Sequence, residues 1–216
     1  MDSEFEHFPA AEQYCIDHSC DEPELLKQIA KYTWTTQNYP RMISGHLKGR
    51  FLSMISRWMK PHTILEVGTF TGYSALCLSE GLGDGDRLHT IEKNPELEAP
   101  LMQFFKASEY AERITLHMGD ALNIIPELQI QPDLVFLDAD KEQYVDYFNV
   151  CMQCIKKGGW IVADNTLWGG KVLSESLKAD RETAGIRAFN DYVQRLENIE
   201  SLMLPFFDGL TLIRVK

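Results

Sequence analysis

The chain predicts an α/β fold, a doubly wound and mostly parallel sheet with helices on both faces. Three observations carry that prediction. Five short apolar runs, residues 64–67, 87–91, 114–118, 134–137 and 160–163, alternate with helix-length periodic segments, as β-α-β units do. Residues 1–60 ahead of them carry helical periodicity, which predicts a helical cap over one end of the sheet. At the other end Asp208-Gly209 separates residues 201–207 from 210–215, which predicts an antiparallel hairpin with a tight Asp-Gly turn.

In chain order, Leu47, Phe51, Met54, Ile55 and Trp58 recur at spacings of three and four behind Ser44, predicting an amphipathic helix with Ser44 as its cap. The first apolar run leads into Glu66-Val-Gly-Thr-Phe-Thr-Gly72, and Tyr73-Ser74 opens the next helix. The glycine-rich stretch at 82–86 reads as a helix-to-strand loop. The second run ends at Glu92 and the third leads to Asp120-Ala121. The fourth is followed by Asp138-Ala-Asp-Lys141 and the fifth by Asp164-Asn165-Thr-Leu-Trp168-Gly-Gly-Lys171. Residues 183–198 predict a last amphipathic helix before the hairpin. No repeat or linker interrupts the order, so residues 1–216 read as one domain, a 1–60 cap on a 61–216 core.

Size and charge narrow the function. A chain of 216 residues with 44% hydrophobic content suffices for one core. A net charge of −11 and a pI near 5.0 are wrong for neutralising phosphates, which excludes nucleic acid as the expected partner. There is no signal-peptide pattern and no apolar stretch of the roughly 20 residues that span a bilayer. The expectation is a cytoplasmic protein that avoids membranes. Five cysteines at irregular spacing suit reduced thiols, and Cys151-Met-Gln-Cys154 reads as two half-buried residues on one helix face rather than half of a zinc site.

In open α/β sheets ligands gather at the carboxyl ends of the strands, and here those ends are acidic. Gly68 and Gly72 allow the backbone to approach a ligand, yet the turn lacks the spacing of a dinucleotide-binding loop. An acidic Glu66 would repel a pyrophosphate and suits a cofactor that carries an ammonium group. Glu92 stands where a carboxylate accepts ribose hydroxyls, and Asp120 with Ala121 where an adenine is contacted. Each feature alone also fits a plain turn or a surface acid; together they predict a nucleoside cofactor. Asp138, Asp164 and Asn165 form an all-oxygen donor set suited to Mg²⁺, with Mn²⁺ or Ca²⁺ possible, although Asp-Asn pairs also make simple Asx turns.

Leu65-Glu-Val-Gly-Thr-Phe-Thr-Gly-Tyr-Ser-Ala75, the Asp138–Lys141 segment and the Asp164–Trp168 segment resemble the cation-dependent O-methyltransferases, the catechol and caffeoyl-CoA types that use S-adenosylmethionine. The resemblance runs from Met42 to Lys216, and the Asp-Ala-Asp-Lys form is similar to the caffeoyl-CoA type and its bacterial relatives. It implies a Rossmann-like sheet and transfer of a methyl group to a hydroxyl of a catechol-like small phenol. By resemblance Ser44, Glu66, Gly68, Thr69 and Ser74 hold the methionine part of the cofactor and the approach to its ribose. Glu92 takes the ribose, Asp120 and Ala121 the adenine side, and Asp138 and Tyr147 complete the cofactor contacts. The resemblance also makes Asp138, Asp164 and Asn165 the metal ligands, with Asp138 and Lys141 catalytic and Lys141 the base. The metal lowers the pKa of a phenol, ordinarily about 10. Trp168, Tyr39 and Trp34 are candidates to stack on a planar acceptor, and the Trp168–Lys171 glycines suit a flap. Family resemblance implies a homodimer. No basic cluster matches one that would grip a coenzyme A tail. The competing classes are a cofactor-binding module without catalysis and an RNA or protein methyltransferase of the same fold.

Overall fold

A computed structural model describes residues 9–174 and 180–216. Helices α1 (Pro9–Asp17), α2 (Glu24–Thr36) and α3 (Gly45–Met59) precede an alternation of β1 (Thr63–Val67), α4 (Tyr73–Ser79), β2 (Arg87–Glu92), α5 (Glu98–Ala107) and β3 (Ile114–Met118). The chain continues through α6 (Ala121–Glu127), β4 (Leu134–Leu137), α7 (Tyr144–Cys154), β5 (Trp160–Asp164), α8 (Arg181–Gln194), β6 (Ile199–Leu204) and β7 (Leu210–Val215). The sheet order is β3-β2-β1-β4-β5-β7-β6. β1 to β5 are parallel, and β7 runs antiparallel between β5 and β6. From β1 the chain winds outward to β3, then returns to the other side of β1 for β4, and a crevice opens where that direction reverses.

The apolar runs of the sequence are strands buried on both faces. Ile64 and Phe136 pack into one cluster with Leu26, Ile29, Leu52 and Leu76, whereas their neighbours Leu65 and Val135 pack into another with Tyr144, Phe148 and Phe189. Alternate residues of one strand thus feed two cores.

Four local expectations are corrected. Met54 and Trp58 of α3 are 71% and 86% exposed, while Gly49, Leu52, Ser53 and Ser56 are buried. Close approach to α4 dictates this face: a Cβ at Gly49 would crowd the Tyr73 ring and the Cys77 sulfur, and the Ser56 hydroxyl donates to the Leu78 carbonyl at 2.6 Å. Small residues are needed there, and an apolar periodicity does not detect them. Ser44 occupies the cap position of α3 but makes no side-chain cap bond. Helix α8 stops at Gln194 because Ile199 must pair with Val215, leaving residues 195–198 as the connection. The hairpin connection is also longer than an Asp-Gly step: Leu204 pairs with Leu210, so residues 205–209 form the link, and Pro205 has no N–H to extend the ladder. Among the described residues no helix is long and apolar enough to cross a membrane.

Candidate active site

Beyond Val67 the backbone turns at once, with Gly68 at φ +100° and Phe70 at φ +50°. Gly68 N–H donates to the Ile91 carbonyl at 3.1 Å, and Asp138 N–H to the Val67 carbonyl at 2.9 Å. A Cβ at position 68 would overlap the Asp138 carbonyl. Only glycine lets the β1 turn lie against the end of β4, and that contact joins the two sides of the crevice.

On the β1–β3 side Glu66 and Glu92 are held by neutral donors. Glu66 is fully buried; its Oε2 accepts from the Thr90 hydroxyl at 2.5 Å, Thr90 is bonded to Thr69 at 2.5 Å, and Glu66 Oε1 has no hydrogen-bond partner among the described residues. Burial pushes the Glu66 carboxyl up to about 8, against the hydroxyls of Ser74 and Thr90. Glu92 accepts from Phe70 N–H at 2.7 Å and Asn94 N–H at 2.8 Å. Burial raises its pKa too, opposed by those backbone donors. Asp120 caps α6 by accepting from Leu122 N–H at 3.0 Å and lies 3.6 Å from Lys93.

On the β4–β5 side Asp138 and Asp164 each meet an ammonium. Lys141 is buried in a short helical turn that Asp140 caps, and it donates to Asp138 Oδ1 at 2.7 Å and to the Tyr144 hydroxyl at 3.3 Å. Asp164 has no solvent exposure; its Oδ1 accepts from Asn165 N–H at 2.8 Å and its Oδ2 from Lys48 Nζ of α3 at 2.5 Å. Burial works to raise the Asp138 carboxyl, but Lys141 and then Lys48 outweigh it and hold it below the usual aspartate range. The Tyr144 hydroxyl lies 2.8 Å from the Leu137 carbonyl and 2.7 Å from the Asp164 carbonyl, which ties the two strand ends together. The hairpin reaches back here: Asp208 accepts from Gly169 N–H and from Asn165 Nδ2, and Leu167 N–H donates to the Asp208 carbonyl.

These elements enclose a cavity of about 1110 Å³. Ser44, Gly68, Thr69, Ser74, Glu92, Ala121 and Tyr147 line one side of it, and Asp138, Lys141, Asn165 and Trp168 the other. Glu66 and Asp164 lie behind the wall. Asp120 is not on it, since its carboxylate serves the α6 cap, and Gly119 and Ala121 line that part instead. Tyr39 lines the cavity and Trp34 does not. The Trp168–Lys171 turn is bonded to the hairpin tip at Gly169, its Trp168 at φ +48°; residues 175–179, part of the acceptor-side segment, lie outside the described residues.

The residues suit the groups the sequence implied. An unpartnered buried acceptor such as Glu66 Oε1 is costly unless a donor arrives, and Glu92, held at both oxygens by backbone N–H groups, keeps lone pairs for hydroxyl donors. For a cation, two carboxylates and a carboxamide are hard oxygen donors.

An O-methyltransferase family profile matches residues 16–216. The chain belongs to the O-methyltransferase family. Caffeoyl-CoA O-methyltransferase of Eucalyptus gunnii is 33% identical over 223 residues, which cover 94% of this chain and 86% of that protein. The Podospora anserina methyltransferase PaMTH1, solved with SAH bound, aligns with a TM-score of 0.90 at 28% identity over 100% of this chain and 98% of its own. The O-methyltransferase TomG of Streptomyces achromogenes, solved in complex with SAM, aligns with a TM-score of 0.87 at 27% identity over 96% of each chain. For this O-methyltransferase the sequence reading missed two site residues, Lys48 and Asp208. Lys48 lies one turn beyond Ser44, on the helix side the periodicity mistook; Asp208 read only as a turn residue.

Proposed function

We propose that the protein transfers the methyl group of S-adenosylmethionine to one hydroxyl of a catechol-like small molecule, with a divalent cation held by Asp138, Asp164 and Asn165. The single observation behind this reading is the shared wall: the Glu92–Gly68–Ser74 surface and the Asp138–Lys141–Asn165 surface face one cavity, joined by the Gly68–Asp138 backbone contact. A ligand held on one surface is thereby set against a ligand held on the other, and methyl transfer depends on such alignment.

On the cofactor side Glu66 offers its unpartnered oxygen to a cationic donor, and Glu92 receives a pair of ribose hydroxyls. The backbone of Gly68 and Thr69, with the Ser74 and Ser44 hydroxyls, borders the amino-acid part, while Ala121 and Tyr147 flank the base. S-adenosylmethionine supplies an electrophilic methyl on a positively charged sulfur. On the acceptor side a bound Mg²⁺ supplies the charge that makes a phenol acidic near neutral pH. Lys141, as the neutral amine left once its own proton has passed to solvent, receives the acceptor's proton at Nζ, and the Asp138 carboxylate, 2.7 Å away, keeps that nitrogen aimed into the cavity. Tyr144 fixes the ends of β4 and β5 so that the donor oxygens keep their spacing, and Trp168 closes the acceptor wall with an aromatic face.

The test is methyl transfer from labelled S-adenosylmethionine to a panel of catechols and caffeoyl esters, with Mg²⁺ and again after EDTA. Transfer that EDTA abolishes and Mg²⁺ restores supports the reading. Transfer that EDTA leaves intact removes the metal from it, and transfer only to RNA or protein overturns the acceptor.

A further inference from the structure

The acceptor side holds a cation of its own. Lys48 crosses from α3 to reach Asp164, 116 residues away, and its side chain is only 11% exposed against a carboxylate with no exposure. Its place is fixed from behind, because neighbouring Gly49 is pressed against Tyr73 and Cys77 of α4. With Lys141 on Asp138, two carboxylates already face two ammonium groups. A divalent ion bound through Asp164 must contend with Lys48 for the same oxygen and, if the ammonium stays, for the same few ångströms of space against a like charge.

We propose that Lys48 is a tethered competitor of the divalent cation: its ammonium holds Asp164 Oδ2 and withdraws when the ion loads, so that it sets the metal affinity of the site. The inference rests on the assignment of Asp138, Asp164 and Asn165 as metal ligands. The four-carbon stem of lysine allows the withdrawal. Asp208 and the Phe207 ring, whose centroid is 5.9 Å from Lys48 Nζ, stand beside it to receive the displaced ammonium. Competition of this kind keeps the site weak, so that it fills only where the cation is plentiful.

Mn²⁺ binding to the purified full chain, followed by the electron paramagnetic resonance signal of free Mn²⁺, tests this without recourse to activity. Lys48→Gln keeps a neutral hydrogen-bond donor for Asp164, Lys48→Met removes the donor, and Lys48→Arg keeps the charge. Circular dichroism melts identify any variant that fails to fold, and Lys48→Gln is the variant that spares Asp164 an unpaired burial. The expected result is Mn²⁺ binding tightened by roughly 10- to 100-fold in Lys48→Gln, with no tightening in Lys48→Arg and loss of binding in Asp164→Asn. Equal or weaker binding in Lys48→Gln, with wild-type binding still dependent on Asp164, overturns the inference and leaves the metal assignment standing. Absence of Mn²⁺ binding in both wild type and Lys48→Gln overturns both.

Discussion

The two halves of the carboxyl edge handle buried acid in opposite ways. Around β1 and β2, Glu66 and Glu92 are hydrogen-bonded by hydroxyls and backbone N–H groups, and among the described residues no ammonium touches them. Around β4 and β5, Asp138 and Asp164 each contact a lysine at 2.7 and 2.5 Å. Neutral donors leave the carboxylate's charge uncancelled while burial pushes it toward protonation, ready for a ligand that brings positive charge and hydroxyl groups. Ammonium partners cancel the charge and leave exchangeable cations in place. Under the proposed reading, one half receives the cofactor and the other trades an ammonium for a divalent ion.

That contrast breaks if a change on one half is felt equally on the other. The largest effect is expected from Asp164→Ala, which lowers turnover by roughly 10³-fold or more, the scale of a lost Lewis acid, while the dissociation constant for S-adenosylmethionine measured by calorimetry barely moves. Loss of cofactor affinity together with unfolding would make Asp164 structural instead.

The neutral-donor half is tested by pH. Glu66 stays protonated in the fold up to about 8, whereas an unfolded glutamate releases its proton near 4.3. Between those values the folded state binds more protons, so stability is full below the unfolded pKa and falls as pH rises through the folded one. Melts of the cofactor-free protein should show a loss of about 3 kcal/mol from pH 5 to pH 7.5, and Glu66→Gln should flatten that dependence. An unchanged slope in the variant would assign the pH response elsewhere.

The joint between the halves comes next. Gly68→Ala combines a positive φ with overlap on the Asp138 carbonyl and is expected to cost about 2–3 kcal/mol in chemical denaturation. It should lower cofactor affinity and turnover together, unlike any variant confined to one half. The smallest effect is expected from Glu92→Gln, which loosens S-adenosylmethionine by about 30-fold, or about 2 kcal/mol for hydrogen bonds to a charged acceptor. Saturating cofactor should restore its turnover.

Much of this arrangement was legible in the sequence because parallel strands buried on two faces read as unbroken apolar runs, and the acids that follow them stand out. Glu66, Glu92, Asp138, Asp164 and Asn165 were found by position alone. Lys48 was not, because its partner is 116 residues away and its helix packs through Gly49, Ser53 and Ser56, which hydrophobic periodicity does not weigh. Asp208 was hidden for a related reason: an Asp-Gly step signals a turn, and the five-residue connection that aims its carboxylate at Asn165 depends on the register of β6 on β7.

The placement of β7 between β5 and β6 has a consequence for how the protein is made. Emerging from the ribosome, the chain delivers β1 to β5 and helices α1 to α8 before residues 210–215 appear. Until then β5 is an edge, and β6 has no strand beside it to join the sheet. Asp164 pairs with Leu210 and Asn165 meets Asp208 only when the hairpin arrives, so the β1–β3 half of the crevice has all its strands while the β4–β5 half still waits for residues 205–215.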